Sequence, residues 1–257
     1  WLADEVGMGK TLVVTSLIFS APANNIKPIK DAEFQRFLKL RDNPPPDGDV
    51  TLGPAAPERD TLDFKCTIVV VNNTLVQQWA DELKKYAPSL EVQWFFGSSQ
   101  NKAAAWRRLR QCDVLLMTPH MVSSANMPDA LLQRMRVHRL VVDESHLLAE
   151  ASMGSKLLSL LQLRTRHVWL VSGTPFSTSL DQLKKQASLL RMSESFRDIH
   201  QHYTPNEDVA AWLRARMIRH TKGMRIGGEV ALALPEADCQ TVLLDMSEDE
   251  RLLYGMH

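Results

Sequence analysis

Cysteine is scarce. The 257-residue chain has three, Cys66, Cys112 and Cys239, scattered without the paired spacing that binds zinc. That excludes a disulfide-stapled scaffold and a zinc module, and fits reduced thiols inside a cell. Net charge is also absent: 30 basic side chains balance 30 acidic ones, so no global positive field draws in nucleic acid. Any such contact must come from local patches. No apolar run approaches the length of a membrane span, no secretory leader is visible, and no segment repeats. The chain begins with Trp1 rather than Met, directly against a glycine turn, and reads as a piece of a longer, soluble protein. Its 44% apolar content supports one large domain or two small ones.

What is present alternates between apolar runs and helical patterns. "CTIVVVN" (66–72), "VQWFF" (92–96), "DVLLMT" (113–118), "HRLVVD" (138–143) and "HVWLVS" (167–172) read as strands, mostly buried. Leu12 to Ser20, "TLVQQWADELKKY" (74–86) and "QNKAAAWRRLRQ" (100–111) read as helices between them. Strand and helix in alternation predict an α/β fold, a mostly parallel sheet with helices on both faces. Residues 21–64 break the rhythm with "NPPPDGD" and "GPAAPERD" around one short helix at 31–40, and predict a mobile surface insertion that builds no core. Residues 195–222 look helical up to "WLRARMIRHTK". "CQTVLLDM" (239–246) reads as a strand, and "SEDERLLYG" opens with a capping box from Ser247 to Glu250. The expected division is a main domain over 1–235 and the start of a truncated second lobe or linker over 236–257.

Three motifs carry chemistry. In "DEVGMGKT" (4–11), Gly7 and Gly9 permit a tight turn whose backbone N–H groups can face one phosphate chain. The cradle comprises Asp4, Glu5, Gly7, Met8, Gly9, Lys10 and Thr11. Lys10 would sit between the β- and γ-phosphates of ATP, and Thr11 would give its hydroxyl to Mg²⁺. Asp4 stands where the usual pattern has glycine. In "LVVDESH" (140–146), a strand pushes Asp143 and Glu144 out at its carboxyl end, where ligands bind in open α/β sheets. Asp143 suits Mg²⁺, and Glu144 suits orienting and deprotonating the attacking water. In "WLVSGTPF" (169–176), Ser172 and Thr174 flank Gly173 and could sense the γ-phosphate, although alone the stretch reads better as an ordinary strand exit. A lysine loop and a distant acid pair can meet at one triphosphate. Trp79, Trp106 and Trp169 read as core rings, and the basic clusters 106–110, 134–139 and 214–225 read individually as solvated faces.

The order "LADEVGMGKT", "VVVNNTLVQQW", "LLMTPH", "VVDESH", "LVSGTP", "MIRHTK" resembles the first motor lobe of the SWI/SNF-type ATPases of helicase superfamily two, over about Leu2 to Tyr254. The resemblance implies a RecA-like lobe of a DNA-dependent ATPase that tracks along double-stranded DNA in chromatin remodelling or DNA repair. It implies nucleotide roles for Lys10 and Thr11, and metal and water roles for Asp143 and Glu144. His146, with Ser172, Gly173 and Thr174, would couple nucleotide to DNA, and Gln77, Gln78, Thr118 and His120 would touch DNA. It further implies a second RecA-like lobe in the same full-length chain, a nuclear address in a eukaryote, nucleosomes as an open further partner, and weak turnover by this lobe alone. Three departures stand out: Asn72 for the family's proline, Ser145 in "DESH" for glycine or alanine, and His220 for the second arginine of "RRTK". The insertion resembles the branch with RING-bearing post-replication-repair proteins, but no RING cysteines occur. A docking module of the same fold with little hydrolysis, another superfamily-two helicase and an unrelated phosphate-loop NTPase remain as alternatives.

Overall fold

The β-branched run at 66–71 becomes the middle of a parallel sheet. The computed structural model describes residues 1–42, 61–122, 127, 129–148, 160–161, 163–175, 180–192, 207–230, 232, 240–242 and 244–254. Five strands, β1 (Leu62–Val70), β2 (Val92–Phe95), β3 (Val114–Met117), β4 (Met135–Asp143) and β5 (Arg164–Val171), lie in the order β2-β3-β1-β4-β5. Every pairing among them is parallel, with Val69 opposite both Leu116 and Val141. Parallel strands need crossovers, and α3 (Val76–Tyr86) and α4 (Ser99–Arg108) supply two of them.

Burial on both faces explains why these strands read as unbroken apolar runs. Val69 and Val71 join Leu116 and Val141 on one face, packed against Val14 and Ile18 of α1 (Lys10–Ser20) and Trp79 and Leu83 of α3. Ile68 and Val70 point the other way, with Leu115, Met117, Leu140 and Val142, toward Trp106 and Leu109. That side-by-side alternation is the pleat of a strand covered twice.

Backbone pairing continues beyond β5. Leu2 bridges Val171 on one side and Ile218 on the other, both in parallel. Leu2 N–H donates to Leu170 O at 2.8 Å, Ser172 N–H to Leu2 O at 3.1 Å, and Ala3 N–H to Ile218 O at 2.8 Å. The residues leading into the glycine turn thus lie between β5 and 218–220, joined to each by a single parallel bridge and its hydrogen bonds. This corrects the helical reading of 195–222: the helix at its end covers Glu207–Arg214, and the following residues pair in extended form. Residues 193–206 lie outside the described residues.

The insertion is also corrected in part. A helix does form, α2 (Asp31–Asp42), but it buries Phe34 and Phe37 at 2% and 3% exposure. Phe37 lies 5.4 Å from the Phe64 ring and 6.3 Å from Trp106, so the segment contributes an aromatic cluster to the core rather than lying outside it. Leu62–Phe64, also inside the expected insertion, begins β1. Residues 43–60 lie outside the described residues.

Arg139 of β4 is buried and closes the far end of α1. Its Nη1 donates to Thr67 Oγ1 at 3.2 Å and its Nη2 to Ala21 O at 3.1 Å, at the carboxyl end of α1, whose last turn has no basic residue of its own. A guanidinium there offsets the negative end of the helix dipole. The residue also lines a cavity of about 110 Å³ with Lys65, Asp113 and His138.

By itself, Trp1–Thr221 forms one compact unit, ending ahead of the boundary expected at 235; Lys222–His257 forms a second. Within the second, Arg225–Ile226 and Glu229–Val230 make a hairpin turned by Gly227 and Gly228, both at positive φ. Helix Glu248–Tyr254 opens with the expected capping box: Ser247 N–H donates to Glu250 Oε2 at 2.9 Å and Glu250 N–H to Ser247 Oγ at 3.3 Å. The strand expected over 239–246 is absent among the described residues; Val242 and Leu244 are exposed, without a neighbouring strand to bury them.

Candidate active site

The glycine turn takes the shape its sequence demands. Gly7 and Gly9 have φ of 86° and 75°, and a methyl group built on either would meet nothing within 4 Å. Gly9 caps the amino terminus of α1 with no side-chain hydrogen bond and no acid in the first turn, so the N–H groups and positive dipole end are available to an anion. Lys10 follows directly, with Thr11 half-buried beside it. The Lys10 ammonium folds across the loop to donate to Asp4 O at 2.9 Å and Glu5 O at 3.2 Å. Both partners are neutral carbonyls, and no carboxylate pairs with it among the described residues. This donor set fits a triphosphate.

Asp143 ends β4 opposite Val171 of β5, and Val171 bridges Leu2, so the acid and the glycine turn leave the sheet at the same carboxyl-terminal rim. Trp79 Nε1 donates to Asp143 Oδ2 at 2.7 Å, and Glu144 N–H donates to Oδ1 at 3.0 Å. Burial pushes the Asp143 carboxyl above the ordinary range; Trp79 opposes this, Glu144 reinforces it, and Lys10 opposes it from across the rim. Glu144 itself sits at φ 46°, in the left-handed region that non-glycine residues enter at a cost.

The third motif joins the other two. His146 Nδ1 lies 2.8 Å from Ser172 Oγ and 3.3 Å from Glu144 Oε2. Ser172 is fully buried and its Oγ accepts from Thr174 N–H at 3.1 Å. A methyl group on Gly173 would stand 2.8 Å from Val6 Cγ2 and 3.6 Å from Lys10 Nζ, so the third loop runs against the glycine turn. Lys10, Asp143, Glu144, His146, Ser172, Gly173 and Thr174 therefore gather at one rim.

Other expected residues lie differently. Asp4 was expected to face nucleotide; its carboxylate is instead buried, with Oδ1 accepting from His220 N–H at 2.7 Å and lying 2.9 Å from His220 Nδ1. The carboxylate that replaces glycine and the histidine that replaces arginine thus pair with one another. Glu5 and Met8 flank the turn, with Met8 N–H donating to Glu5 O at 3.2 Å. Gln77 and Gln78 are exposed on α3, bonded to Asp81 and Glu82 one turn on, and His120 is exposed in a 3₁₀ turn. Thr118 is corrected as a surface contact, since it is buried at 3% exposure in front of that turn.

Several of the clustered arginines hold the fold together. Arg110 pairs with Asp31 at 2.8 Å, Arg136 with Asp63 at 3.4 Å, and Arg216 lies over the Trp212 ring. Arg219 Nη1 donates to Ala3 O at 2.6 Å and Gly173 O at 3.3 Å, tying the first and third motifs together. No side-chain periodicity marks that role. The basic character of "MIRHTK" was the one available signal, and it pointed outward.

The comparisons with known proteins agree on the family. The family described as the SNF2-related domain matches residues 1–257. The chain is 24% identical to the DNA repair protein RAD5B of Arabidopsis thaliana over 98% of its own length and 20% of that protein's. It is 26% identical to RAD5A of the same plant, over 98% of this chain and 27% of that protein. With the helicase-like transcription factor of Mus musculus it shares 22% identity over 74% of this chain and 20% of that protein. The chain therefore spans about a fifth to a quarter of these relatives. Among solved structures, the Sulfolobus solfataricus SWI2/SNF2 ATPase core in complex with dsDNA superimposes with a TM-score of 0.56 at 18% identity, over 86% of this chain and 40% of that one. That likeness concerns the fold: a RecA-like lobe built on a parallel five-stranded sheet.

Proposed function

This chain belongs to the SNF2-related domain family, and from that premise we propose that it is the nucleotide-binding half of an ATP-driven motor acting on double-stranded DNA. The observation that carries the reading is the convergence of Lys10 with Asp143 and Glu144 on one rim: Asp143 ends the strand beside Val171, Val171 bridges Leu2 ahead of the glycine turn, and Gly173 of the third motif lies against Lys10. MgATP supplies the phosphoanhydride that is split. The backbone N–H groups of the glycine turn and the Lys10 ammonium hold the phosphate chain and balance its charge. Thr11 and Asp143 are the residues that would hold Mg²⁺. Glu144 orients a water and takes its proton. His146 and Ser172 link that carboxylate to the third motif, so the state of the site reaches that loop.

Double-stranded DNA as partner is supported by the relatives named for DNA repair and by the solved structure of the archaeal core in complex with dsDNA. Gln77, Gln78 and His120 remain candidate contacts; Thr118 does not. A second lobe of the full-length chain would complete the site and close over nucleotide, nucleosomes would be one form in which the duplex is met, and the setting would be the nucleus. Among the described residues, no helix is long and apolar enough to cross a membrane.

Steady-state ATP turnover by the full-length protein tests this. Duplex DNA should stimulate it and RNA should not, and Glu144→Gln should abolish turnover while leaving nucleotide binding in place. Equal stimulation by RNA, or undiminished turnover in Glu144→Gln, would overturn the proposal.

A further inference from the structure

Gln186 lies outside every motif yet touches two of them. It sits in the helix Leu180–Leu189 at 1% exposure. Its Oε1 accepts from Ser145 Oγ at 2.8 Å and from Trp1 Nε1 at 3.1 Å, and its Nε2 donates to Pro175 O. The amide orientation follows from its partners. Turned over, Nε2 would meet the indole N–H, and Oε1 would meet a carbonyl, leaving two like-with-like contacts in a buried site. Ser145 is fully buried and follows Glu144 directly. Pro175 closes the third motif. Trp1 immediately precedes Leu2, which pairs with β5.

A backbone held in the left-handed region returns to commoner angles unless its surroundings fix it. Glu144 at φ 46° is such a residue. Asp143, on its amino side, is held by Trp79. On its carboxyl side the next residue is held by Gln186, through a hydroxyl that the glycine or alanine of "DEGH" and "DEAH" sequences lacks. We propose that Gln186 is a positioning residue for hydrolysis: with Ser145 it locks the Glu144 peptide against the third-motif loop, so that the Glu144 carboxylate stays aimed at the attacking water. The inference rests on the ATPase reading above and adds a residue to it. This bridge runs beside the one from His146 to Ser172, and the two use separate side chains.

The bridge acts on Glu144, which does its work during bond cleavage. Its loss should therefore lower kcat and leave the KM for ATP nearly unchanged. The test uses the full-length protein with duplex DNA and three variants: Gln186→Met, which keeps volume and removes all three hydrogen bonds; Ser145→Ala; and the double variant. Gln186→Met should lower kcat roughly tenfold with KM within about twofold, and Ser145→Ala should lower it about threefold. The double variant should match Gln186→Met, since one bridge is lost only once. A purely structural Gln186 would lower the thermal midpoint and leave kcat unmoved at temperatures where the variant is folded, which would overturn the inference. If Gln186→Met does not fold, Ser145→Ala decides alone: full kcat in that variant overturns the bridge. Absence of DNA-stimulated turnover in the wild type would instead overturn the underlying ATPase reading.

Discussion

Trp79 on α3 donates its indole N–H to Asp143 at 2.7 Å, holding in place an acid whose ionised form the surrounding protein disfavours. A carboxyl with its folded-state pKa above the unfolded value keeps a proton that the unfolded chain has already released. Ionisation then costs the fold stability as pH rises through that window, and the cost vanishes below it. Asp143→Asn removes the charge and keeps one oxygen, enough for Trp79 or for the Glu144 N–H but not for both. That lost bond is the same at every pH, so the pH dependence isolates the charge: relative to wild type, the variant's thermal midpoint should fall between about pH 8 and about pH 3, as the wild-type carboxyl takes up its proton. Turnover should be lost at every pH. A midpoint difference that stays constant between about pH 8 and about pH 3 would contradict the burial argument.

Lys10 and Glu144 should separate binding from chemistry. The Lys10 ammonium has only carbonyl partners among those its hydrogen bonds reveal, Asp4 O and Glu5 O, so its removal strands no carboxylate. Lys10→Ala should therefore fold and lose at least about tenfold in nucleotide affinity, as expected when a charge-assisted phosphate contact worth about 1.5–3 kcal/mol goes. Glu144→Gln should bind nucleotide close to normally. Titration with a fluorescent ATP analogue measures both, and equal loss in the two variants would contradict the division of roles.

Gly173 is a matter of space. Its added methyl would stand 2.8 Å from Val6 Cγ2, while Val6 is itself 68% exposed. Gly173→Ala should push the glycine turn away from the third motif and weaken ATP binding, with an overpacking cost of about 1–3 kcal/mol. Val6→Ala removes the opposing methyl. The double variant should recover most of the affinity, and failure of that rescue would mean that Gly173 acts through something other than Val6.

The parts of this molecule legible in the sequence are those set by local pattern. Ile68 to Val71 read as a strand covered on both sides because every position is apolar, and all four are buried. Gly7, Gly9 and Lys10 read as a phosphate cradle because few turns need that order. Pairings across long separations left no such trace. Leu2 and Ile218 are 216 residues apart, and the short segment before the glycine turn has too few residues to display a strand's period. Phe34 and Phe37, three apart in a short helix beside a proline-rich stretch, are core although the segment around them reads as surface. Gln186 was invisible because a buried amide in an amphipathic helix looks like any other polar position until its three partners are placed around it.

Asp4 and His220 carry the last prediction. The carboxylate stands where a phosphate loop usually has glycine, and it faces the segment at 218–220 rather than the rim. It is 4% exposed and accepts both a backbone N–H and an imidazole contact from one residue. Asp4→Ala leaves the His220 N–H without its partner, and should cost about 1–3 kcal/mol of stability. His220→Ala keeps that backbone bond and loses only a half-exposed ring contact, so it should cost about 1 kcal/mol or less. His220→Arg restores a long donor that can still reach Asp4 and should melt within a few degrees of wild type, about what a change under 1 kcal/mol produces. Thermal denaturation of the three variants orders them. If His220→Ala proved as damaging as Asp4→Ala, the ring rather than the backbone N–H would be what fixes the start of the glycine turn.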